Sequence, residues 1–259
     1  MILAIDMGNT NIKIGMISDR EGSSIREERL MTDRNKTSME YALMITSILD
    51  FYGISKRDFE GAIISSVVPP LTGVLDTAVR KVLGVEPLIV KGSMKLDISL
   101  EKFPIPDILG ADLIIGAEAA YKLYEPPVAV INMGTATTIT VISKEGRFEG
   151  GLILPGLKTS IASLSQGTAQ LPEIDLSRPG AIITVDTTES MRSGIIYGNA
   201  AQLDGLLGRL EQELGESCTV VATGGLSRFV IPYCSHKVIM DDKLLMKGLL
   251  MLYNENRAS

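Results

Sequence analysis

A short polar turn follows the first apolar run of the chain, and its residues could bind a polyphosphate. The run ends in Asp6-Met7-Gly8-Asn9-Thr10. We expect Gly8 to adopt a positive φ and to let a ligand approach the backbone, while the backbone amides and the Thr10 hydroxyl donate to phosphate oxygens. Asp6 can hold Mg²⁺ directly or through a bound water. The alternative is a plain hairpin turn, for which such residues are common.

The same kind of turn recurs in the second half of the sequence. Residues 131–136, Ile-Asn-Met-Gly-Thr-Ala, match residues 5–10, and each segment opens a run of three strands followed by helices. Two copies at matching positions favour phosphate binding over a plain turn, and two such turns facing each other would grip a polyphosphate from both sides.

Thr223-Gly224-Gly225, after a buried strand, could place a nucleotide base or ribose against bare backbone. No P-loop or Gly-x-Gly-x-x-Gly motif is present.

Alternating strand and helix patterns must position these turns. A period of two from Ile12 to Met16 predicts a β-hairpin with the first strand. Thr37-Ser38-Met39-Glu40 predicts a helix start through a capping box, and the apolar run 62–68 predicts a buried parallel strand. Further predictions are a polar turn over 18–24, helices over 71–83, 107–124, 188–214 and 243–254, and a strand over 220–222. We therefore predict an α/β protein of two duplicated domains, residues 1–125 and 126–259, each with a mixed, mostly parallel sheet flanked by helices.

Composition excludes several classes of function. The formal net charge is −6 and the sequence pI is about 5.0, which argues against a nucleic-acid partner because such proteins usually carry a basic surface. No apolar run is long enough to cross a membrane, and the first residues lack the features of a secretory signal. We expect a cytoplasmic protein with no membrane partner.

Six ordered motifs give the chain a family resemblance. They are Asp-Met-Gly-Asn-Thr (6–10), Gly-Ala-Asp (110–112), Met-Gly-Thr-Ala-Thr-Thr (133–138), Gly-Gly-Leu-Ile-Leu-Pro-Gly (150–156), Thr-x-x-Ser-Met-x-Ser-Gly (187–194) and Ala-Thr-Gly-Gly-Leu (222–226). In this order they resemble the type III pantothenate kinases over essentially the whole chain. The resemblance implies two actin-like (ribonuclease-H-like) domains, a homodimer, and phosphorylation of pantothenate by ATP with magnesium. It also implies an activating monovalent cation, potassium or ammonium.

The resemblance assigns roles to particular residues. Asp112 matches the proton acceptor, Asp6 the magnesium ligand, and Asn132 stands where the family has an aspartate that binds the monovalent cation. The implied ATP-binding residues are Asp6, Met7, Gly8, Asn9, Thr10, Asn11, Ile12, Lys13, Gly134, Thr135, Ala136 and Gly224. The implied substrate-binding residues are Phe103, Gly110, Ala111, Asp112, Leu113 and Thr187.

The sequence departs from the family pattern mainly on the acceptor side. Leu113 replaces an arginine that would pair with the pantothenate carboxylate. Phe103 replaces a tyrosine, and Ile105 stands where asparagine is common. Asn132 retains a carbonyl oxygen but no charge. The nucleotide side is nearly intact, whereas the acceptor side has lost polar contacts.

These departures leave three hypotheses open. The chain is a pantothenate kinase with weak or altered acceptor recognition, a kinase for a less anionic alcohol, or a non-catalytic subunit that forms a heterodimer with an active second family copy. Lys158 and Arg192 could supply replacement charge in the acceptor pocket, or could be ordinary surface residues. Lys13 could contact a phosphate or be a solvated strand lysine. His236 is predicted to be structural or exposed.

Overall fold

The computed structural model describes residues 1–18 and 24–257, and the chain forms two compact units. One unit comprises Met1–Ala119 with Leu244–Ser259, and the other comprises Ala120–Lys243. This division differs from the predicted domains 1–125 and 126–259, because the last helix lies in the core of the first unit. Its apolar residues share one buried cluster with side chains of the first unit's sheet, namely Leu245, Leu249 and Leu252 with Ile2, Ala4 and Ile63.

The first unit contains a five-stranded sheet in the order β3-β2-β1-β4-β5. Its strands are β1 (Ile2–Met7), β2 (Asn11–Ser18), β3 (Ser24–Met31), β4 (Gly61–Ser66) and β5 (Leu88–Ile89). Its first helices are α1 (Ser38–Phe51), α2 (Pro69–Leu83) and α3 (Ala111–Leu123). Helix α3 continues past Ala119, the last residue of this part of the first unit. β1 pairs antiparallel with β2 and parallel with β4. The polar turn predicted over 18–24 falls largely on residues 19–23, which lie outside the described residues.

The second unit repeats this topology, with the sheet order β10-β9-β6-β7-β8. Its elements are β6 (Val128–Met133), β7 (Ala136–Ile142), β8 (Phe148–Pro155), α4 (Leu157–Gly167), α5 (Thr187–Leu214), β9 (Thr219–Thr223), α6 (Ser227–Val230) and β10 (Val238–Met240), and the chain ends with α7 (Leu244–Asn256) in the first unit. β6 pairs antiparallel with β7 and parallel with β9. The predicted duplication is therefore confirmed strand by strand.

The predicted class, two mixed sheets flanked by helices, is confirmed, but the sheets are not mostly parallel. Each has two parallel and two antiparallel pairings. Parallel β1 and β4 are buried almost throughout, as expected for strands covered on both faces. The antiparallel strands β2 and β3 form one edge of the sheet. The turn that joins β1 to β2 lies at the carboxyl end of β1.

Helix boundaries follow the local chemistry of the chain. Thr37 caps α1 in a capping box with Glu40, as predicted. The helix predicted from residue 107 begins instead at Ala111, because residues 106–108 form a single 3₁₀ turn. Asp107 anchors that turn by accepting a hydrogen bond of 2.7 Å from the Ser93 amide. No helix within the described ranges is both long and apolar enough to span a membrane.

Candidate functional site

The first phosphate turn, the name used here for the predicted phosphate-binding residues 8–11, is a tight loop between β1 and β2. The Gly8 amide donates to the Asn11 carbonyl at 2.9 Å, and Met7 pairs with Ile12 on either side of the loop. Gly8 does not adopt a positive φ, so that part of the prediction is wrong. A glycine suits the position because of its size: a Cβ atom there would lie 3.2 Å from the Asn11 carbonyl oxygen.

The second phosphate turn, between β6 and β7, has the same position in its own unit but a tighter loop. The Gly134 amide donates to the Ala136 carbonyl at 3.0 Å, and Met133 pairs with Thr137. The Thr159 hydroxyl, from the first turn of α4, donates to the Thr135 carbonyl at 3.0 Å. Gly156 abuts this loop so closely that a Cβ atom there would lie 2.7 Å from the Gly134 carbonyl oxygen. The Thr135 and Ala136 residues themselves are exposed.

Gly224 brings a third backbone segment against the second turn. It has a φ of +92°, and a Cβ atom there would lie 2.5 Å from the Met133 carbonyl oxygen. Only glycine combines this conformation with so close an approach of two backbones. The Ser227 hydroxyl donates to the Gly224 carbonyl at 2.7 Å and fixes the turn. The structure therefore brings Gly224 and the Gly134–Ala136 loop together within the second unit.

Asp6 lies in a row of three polar side chains that crosses the first sheet. It pairs in register with Lys13 on β2 and with Ser65 on β4, so the three side chains project from one face. The Ser65 hydroxyl donates to Asp6 Oδ1 at 2.9 Å. Lys13 Nζ lies 3.9 Å from Glu27 Oε1 on β3. Lys13 is therefore not a freely solvated strand lysine, because 14% of its side chain is exposed and it has a carboxylate partner.

Two carboxyl groups of the first unit lie in one electrostatic environment. Burial, and then the negative charge of Asp112, raise the pKa of Asp6 to about 6, although Lys13 and the Ser65 hydrogen bond lower it. Burial also raises the pKa of Asp112, against hydrogen bonds from the backbone amides at residues 112 and 113. A buried carboxyl group whose ionisation is opposed by a second carboxyl group would be stabilised in its charged form by a cation bound beside it. The donor set of carboxylate oxygens suits Mg²⁺.

Asp112 is placed by the first turn of α3. The residue before the helix, Gly110, leaves room for the carboxylate, because a Cβ atom at position 110 would lie 2.9 Å from Asp112 Oδ1. Ala111 is buried and Leu113 is partly buried. The side chain of Asp112 thus accepts from its own helix N-terminus and lies close enough to Asp6 to influence its ionisation.

The equivalent row in the second unit carries no charge. Asn132 on β6 pairs in register with Thr138 on β7 and Thr223 on β9, at the positions of Asp6, Lys13 and Ser65 in the first unit. The hydroxyl oxygens of Thr138 and Thr223 are buried and have no hydrogen-bond partner among the described residues. A row of one amide and two hydroxyls offers neutral oxygens but no carboxylate to offset the desolvation of an ion. The row therefore offers a monovalent cation neutral oxygen ligands only.

The acceptor-side residues belong to different units of the chain. Phe103 is partly buried in the segment before α3, and Ile105 in the same segment is 59% exposed. Thr187 is exposed at the start of α5, in the second unit. Arg192 pairs with Glu189 on the same helix, so its charge is already matched. Lys158 lines a cavity of about 430 Å³ together with Glu173 and Asp175.

His236 has partners that the sequence did not reveal. Its Nδ1 lies 3.0 Å from Asp204 Oδ1, and its Nε2 lies 3.7 Å from Glu211 Oε2. The Asp204 carboxylate also accepts from the backbone amides of Ser235 and His236. These contacts tie the segment before β10 to α5 and agree with the predicted structural role.

Sequence reasoning missed three residues of the first site, namely Ser65, Glu27 and Arg34. Ser65 is recognisable once the register of β4 against β1 is known, but serine in an apolar strand is not a signal by itself. Glu27 lies on the edge strand β3, where several charged residues follow one another and none stands out from the sequence. Arg34 belongs to the connection between β3 and α1, and its Nη2 donates to Asn9 Oδ1 at 3.1 Å.

The raised pKa of Asp6 predicts a pH-dependent penalty on the ligand-free fold. Because the folded-state pKa is about 6 and the ordinary value is 3.8, the folded protein binds more protons between these values. Its stability should therefore fall as pH rises from about 4 to about 6. Asp6→Asn should raise the free energy of unfolding by on the order of 3 kcal/mol at about pH 8, and this gain should vanish below about pH 4.

Urea unfolding of both proteins across this pH range measures the difference. Asp50→Asn, which alters an exposed aspartate on α1, is the matched control and should show no comparable gain. An Asp6→Asn difference that does not change with pH would contradict the burial of an ionising carboxyl at this position.

Each unit of the chain thus has a polar turn after its first strand, and the first unit also contains Asp6 and Asp112. A family model described as "Type III pantothenate kinase" matches residues 2–209, and this match covers most of the chain. The chain belongs to the type III pantothenate kinase family. The family match includes Asp6, Asp112, Asn132 and Thr187, whereas Gly224 lies beyond it.

Relatives in the family extend over the full length of the chain. A type III pantothenate kinase of Bacillus cytotoxicus is 37% identical over 256 residues, covering 99% of this chain and 97% of that protein. One from an Exiguobacterium species is 39% identical over 259 residues, covering 99% and 100%. These matches extend past residue 209 and include α7.

Solved structures support the fold alone. Component A of (R)-2-hydroxyglutaryl-CoA dehydratase from Acidaminococcus fermentans superposes with a TM-score of 0.56 at 15% identity, covering 97% of this chain and 96% of that one. The superposition supports the duplicated α/β fold expected from the resemblance.

Proposed function

We propose that this member of the type III pantothenate kinase family transfers the γ-phosphoryl group of ATP to the primary hydroxyl of pantothenate. The product is 4′-phosphopantothenate, the first intermediate of coenzyme A biosynthesis, and we place the reaction in the cytoplasm. The observation that carries the proposal is the polar row of Asp6, Lys13 and Ser65 next to the turn after β1, with Asp112 near enough to raise the pKa of Asp6. The family match supports it independently.

In this proposal each of the two turns offers donors to nucleotide phosphate groups. Backbone amides of the two turns other than those of Gly8 and Gly134, which donate within their own loops, and the hydroxyls of Thr10 and Thr135 would donate to phosphate oxygens. Asp6 would hold Mg²⁺, which neutralises phosphate charge when bound. Ser65 keeps the Asp6 carboxylate in place through its hydrogen bond. Gly224 would let the nucleotide approach bare backbone.

Asp112 would act as the proton acceptor. The hydroxyl oxygen of the acceptor attacks the γ-phosphorus, the bond to the β,γ-bridging oxygen breaks, and the hydroxyl proton passes to the Asp112 carboxylate. Burial raises the pKa of Asp112 and makes it a better acceptor for that proton. Most of the acceleration would still come from positioning and charge neutralisation, as in other phosphoryl transfers.

The proposal includes a dimer but gives the monovalent cation no role in the reaction. Asn132 with Thr138 and Thr223 supplies only neutral donors, so we assign no step to potassium or ammonium. For the quaternary state we propose a dimer, either of two copies of this chain or with a second family member. The exposed apolar side chains of Ile182, Ile183 and Val185, just before α5, are consistent with a covered surface.

A kinase for a less anionic alcohol is the second candidate, and Leu113 favours it. An apolar side chain follows the proton acceptor directly, and Arg192, a possible substitute cation, is already paired with Glu189. A carboxylate-bearing acceptor would therefore bind weakly, whereas an uncharged alcohol would not suffer this loss. The third possibility, a non-catalytic subunit, predicts nucleotide binding without turnover.

ADP release separates these candidates. The purified protein is supplied with Mg²⁺, ATP and potassium, with and without pantothenate, and phosphopantothenate is identified by mass spectrometry. Pantothenate-dependent release supports the proposed reaction. Binding of Mg·ATP without release, measured by calorimetry, would reject it and favour the subunit or the altered acceptor.

A further inference from the structure

The connection between β3 and α1 is tied to the first phosphate turn at three points. The Thr32 amide donates to the Thr10 carbonyl at 3.0 Å, and the Thr32 hydroxyl donates to the Gly8 carbonyl at 2.7 Å. Arg34 Nη2 donates to Asn9 Oδ1 at 3.1 Å. These bonds hold a guanidinium group at the loop whose amides are proposed to bind phosphate.

The connection is itself braced by α1. The Tyr41 hydroxyl donates to the Asp33 carbonyl at 2.8 Å, and the Asp33 side chain accepts from the Asn35 amide at 3.0 Å. Tyr41 is buried in the core of the first unit. Arg34 therefore extends from a segment fixed on both sides, although its own side chain is exposed.

Arg34 differs from the other cations near this turn. Lys13 lies 3.9 Å from a Glu27 oxygen, and Lys36 lies 3.7 Å from an Asp33 oxygen. Arg34 forms no ion pair with any residue in the ranges 1–18 and 24–257. Its guanidinium has five N–H donors, and its bond to Asn9 uses Nη2, which leaves donors for a ligand.

The charges of the first site explain the need for such a group. Mg·ATP carries net negative charge, and Asp6 and Asp112 add two further carboxyl groups beside it. Lys13 is already paired with Glu27. Its positive charge is therefore largely offset before the nucleotide binds. An uncommitted guanidinium at the loop would supply the missing positive charge, in a geometry that suits bidentate contact with phosphate oxygens.

We propose that Arg34 is a phosphate-binding residue of the nucleotide site, which positions Asn9 with one nitrogen and contacts the β- or γ-phosphate of the nucleotide with the others. This inference rests on the proposed function of the site as a nucleotide site, and it adds a residue from outside the two hairpin turns. Asp6 and the turn amides would hold one side of the polyphosphate, and Arg34 another.

Calorimetric titration of the full chain with Mg·ATP and with adenosine tests the inference. Arg34→Gln should weaken Mg·ATP binding by about 10- to 100-fold, because it removes a charged hydrogen-bond donor, and should leave adenosine binding within about twofold. Arg34→Lys keeps the positive charge but loses the two parallel N–H donors of the guanidinium. Its affinity for Mg·ATP should lie between those of the wild type and Arg34→Gln. Lys36→Gln removes a charge two residues away and should change Mg·ATP binding by no more than about twofold.

The outcomes separate this inference from the proposed reaction. Wild-type binding of Mg·ATP with an unchanged affinity in Arg34→Gln would overturn the role of Arg34 and leave the reaction standing. An equal loss in Lys36→Gln would also overturn it, because general charge would then explain the effect. A selective loss in Arg34→Gln supports it even if ADP release shows no dependence on pantothenate. Failure of the wild type to bind Mg·ATP would overturn both.

Discussion

Replacing Asp112 with asparagine is expected to lower pantothenate-dependent ADP release by about 10²- to 10⁴-fold, while Mg·ATP still binds. The amide keeps the shape of the side chain at the first turn of α3 but cannot take a proton from the acceptor hydroxyl. The nucleotide should remain bound because the change removes a negative charge beside Asp6, and this lowers rather than raises the pKa of Asp6. Steady-state ADP release and calorimetry with Mg·ATP measure the two effects separately.

Asp107→Asn is the matched control for this variant. Asp107 lies in the segment before α3 and accepts from the Ser93 amide, so the change tests whether disturbance of this segment alone lowers turnover. Its ADP release should remain within a few-fold of the wild type. Unchanged turnover in Asp112→Asn would reject Asp112 as the proton acceptor, whatever the family pattern implies.

The double change Leu113→Arg with Asn132→Asp is expected to raise kcat/KM for pantothenate by a factor of about 10 to 1,000. Arginine at 113 would restore a bidentate donor for the pantothenate carboxylate. Aspartate at 132 would give the neutral row of the second unit a carboxylate that accepts from the Thr138 and Thr223 hydroxyls and attracts a monovalent cation. The measurement is kcat/KM with and without potassium.

Two comparisons make this result specific. The alcohol analogue of pantothenate lacks the carboxylate and should gain nothing from Leu113→Arg, since the new guanidinium has no anion to bind. Leu113→Met alters the apolar side chain without adding charge, and should leave both acceptors within about twofold. No gain for pantothenate in the double variant would end the interpretation of this chain as a pantothenate site weakened at Leu113.

The parts of the fold predicted from the sequence are those fixed by local pattern. The period of two in β2, the capping box of Thr37 and Glu40, and the repeat of the polar turn after residue 130 each depend on neighbours in the chain. The start of α3 was misplaced because the Asp107–Ser93 hydrogen bond is a contact across 14 residues. The strand β10 was missed because three residues between polar segments carry too short a pattern.

The candidate site shows the same limit more sharply. Asp6 and Asp112 follow from motifs, but the effect of Asp112 on the ionisation of Asp6 depends on packing. Ser65 and Thr223 become recognisable only when parallel strand pairing places each beside the polar residue of the preceding hairpin. Arg34 could not be assigned because its connection to Asn9 depends on a loop that folds back onto the turn. A positive φ was assigned to Gly8 from residue type, whereas the loop needed only a small residue.

The chain's last helix returns to the unit made from its first residues. Leu245, Leu249 and Leu252 of α7 cover a face of the sheet that includes Ile2, Ala4 and Ile63. During synthesis, strands β1 and β4 leave the ribosome long before residues 244–256 exist, and the whole second unit is made in between. Until then this face of the sheet lacks the part of its apolar cover that α7 supplies, although Ala111 and Ile115 of α3 belong to the same cluster. The core of the first unit is therefore completed only after the second unit has been synthesised.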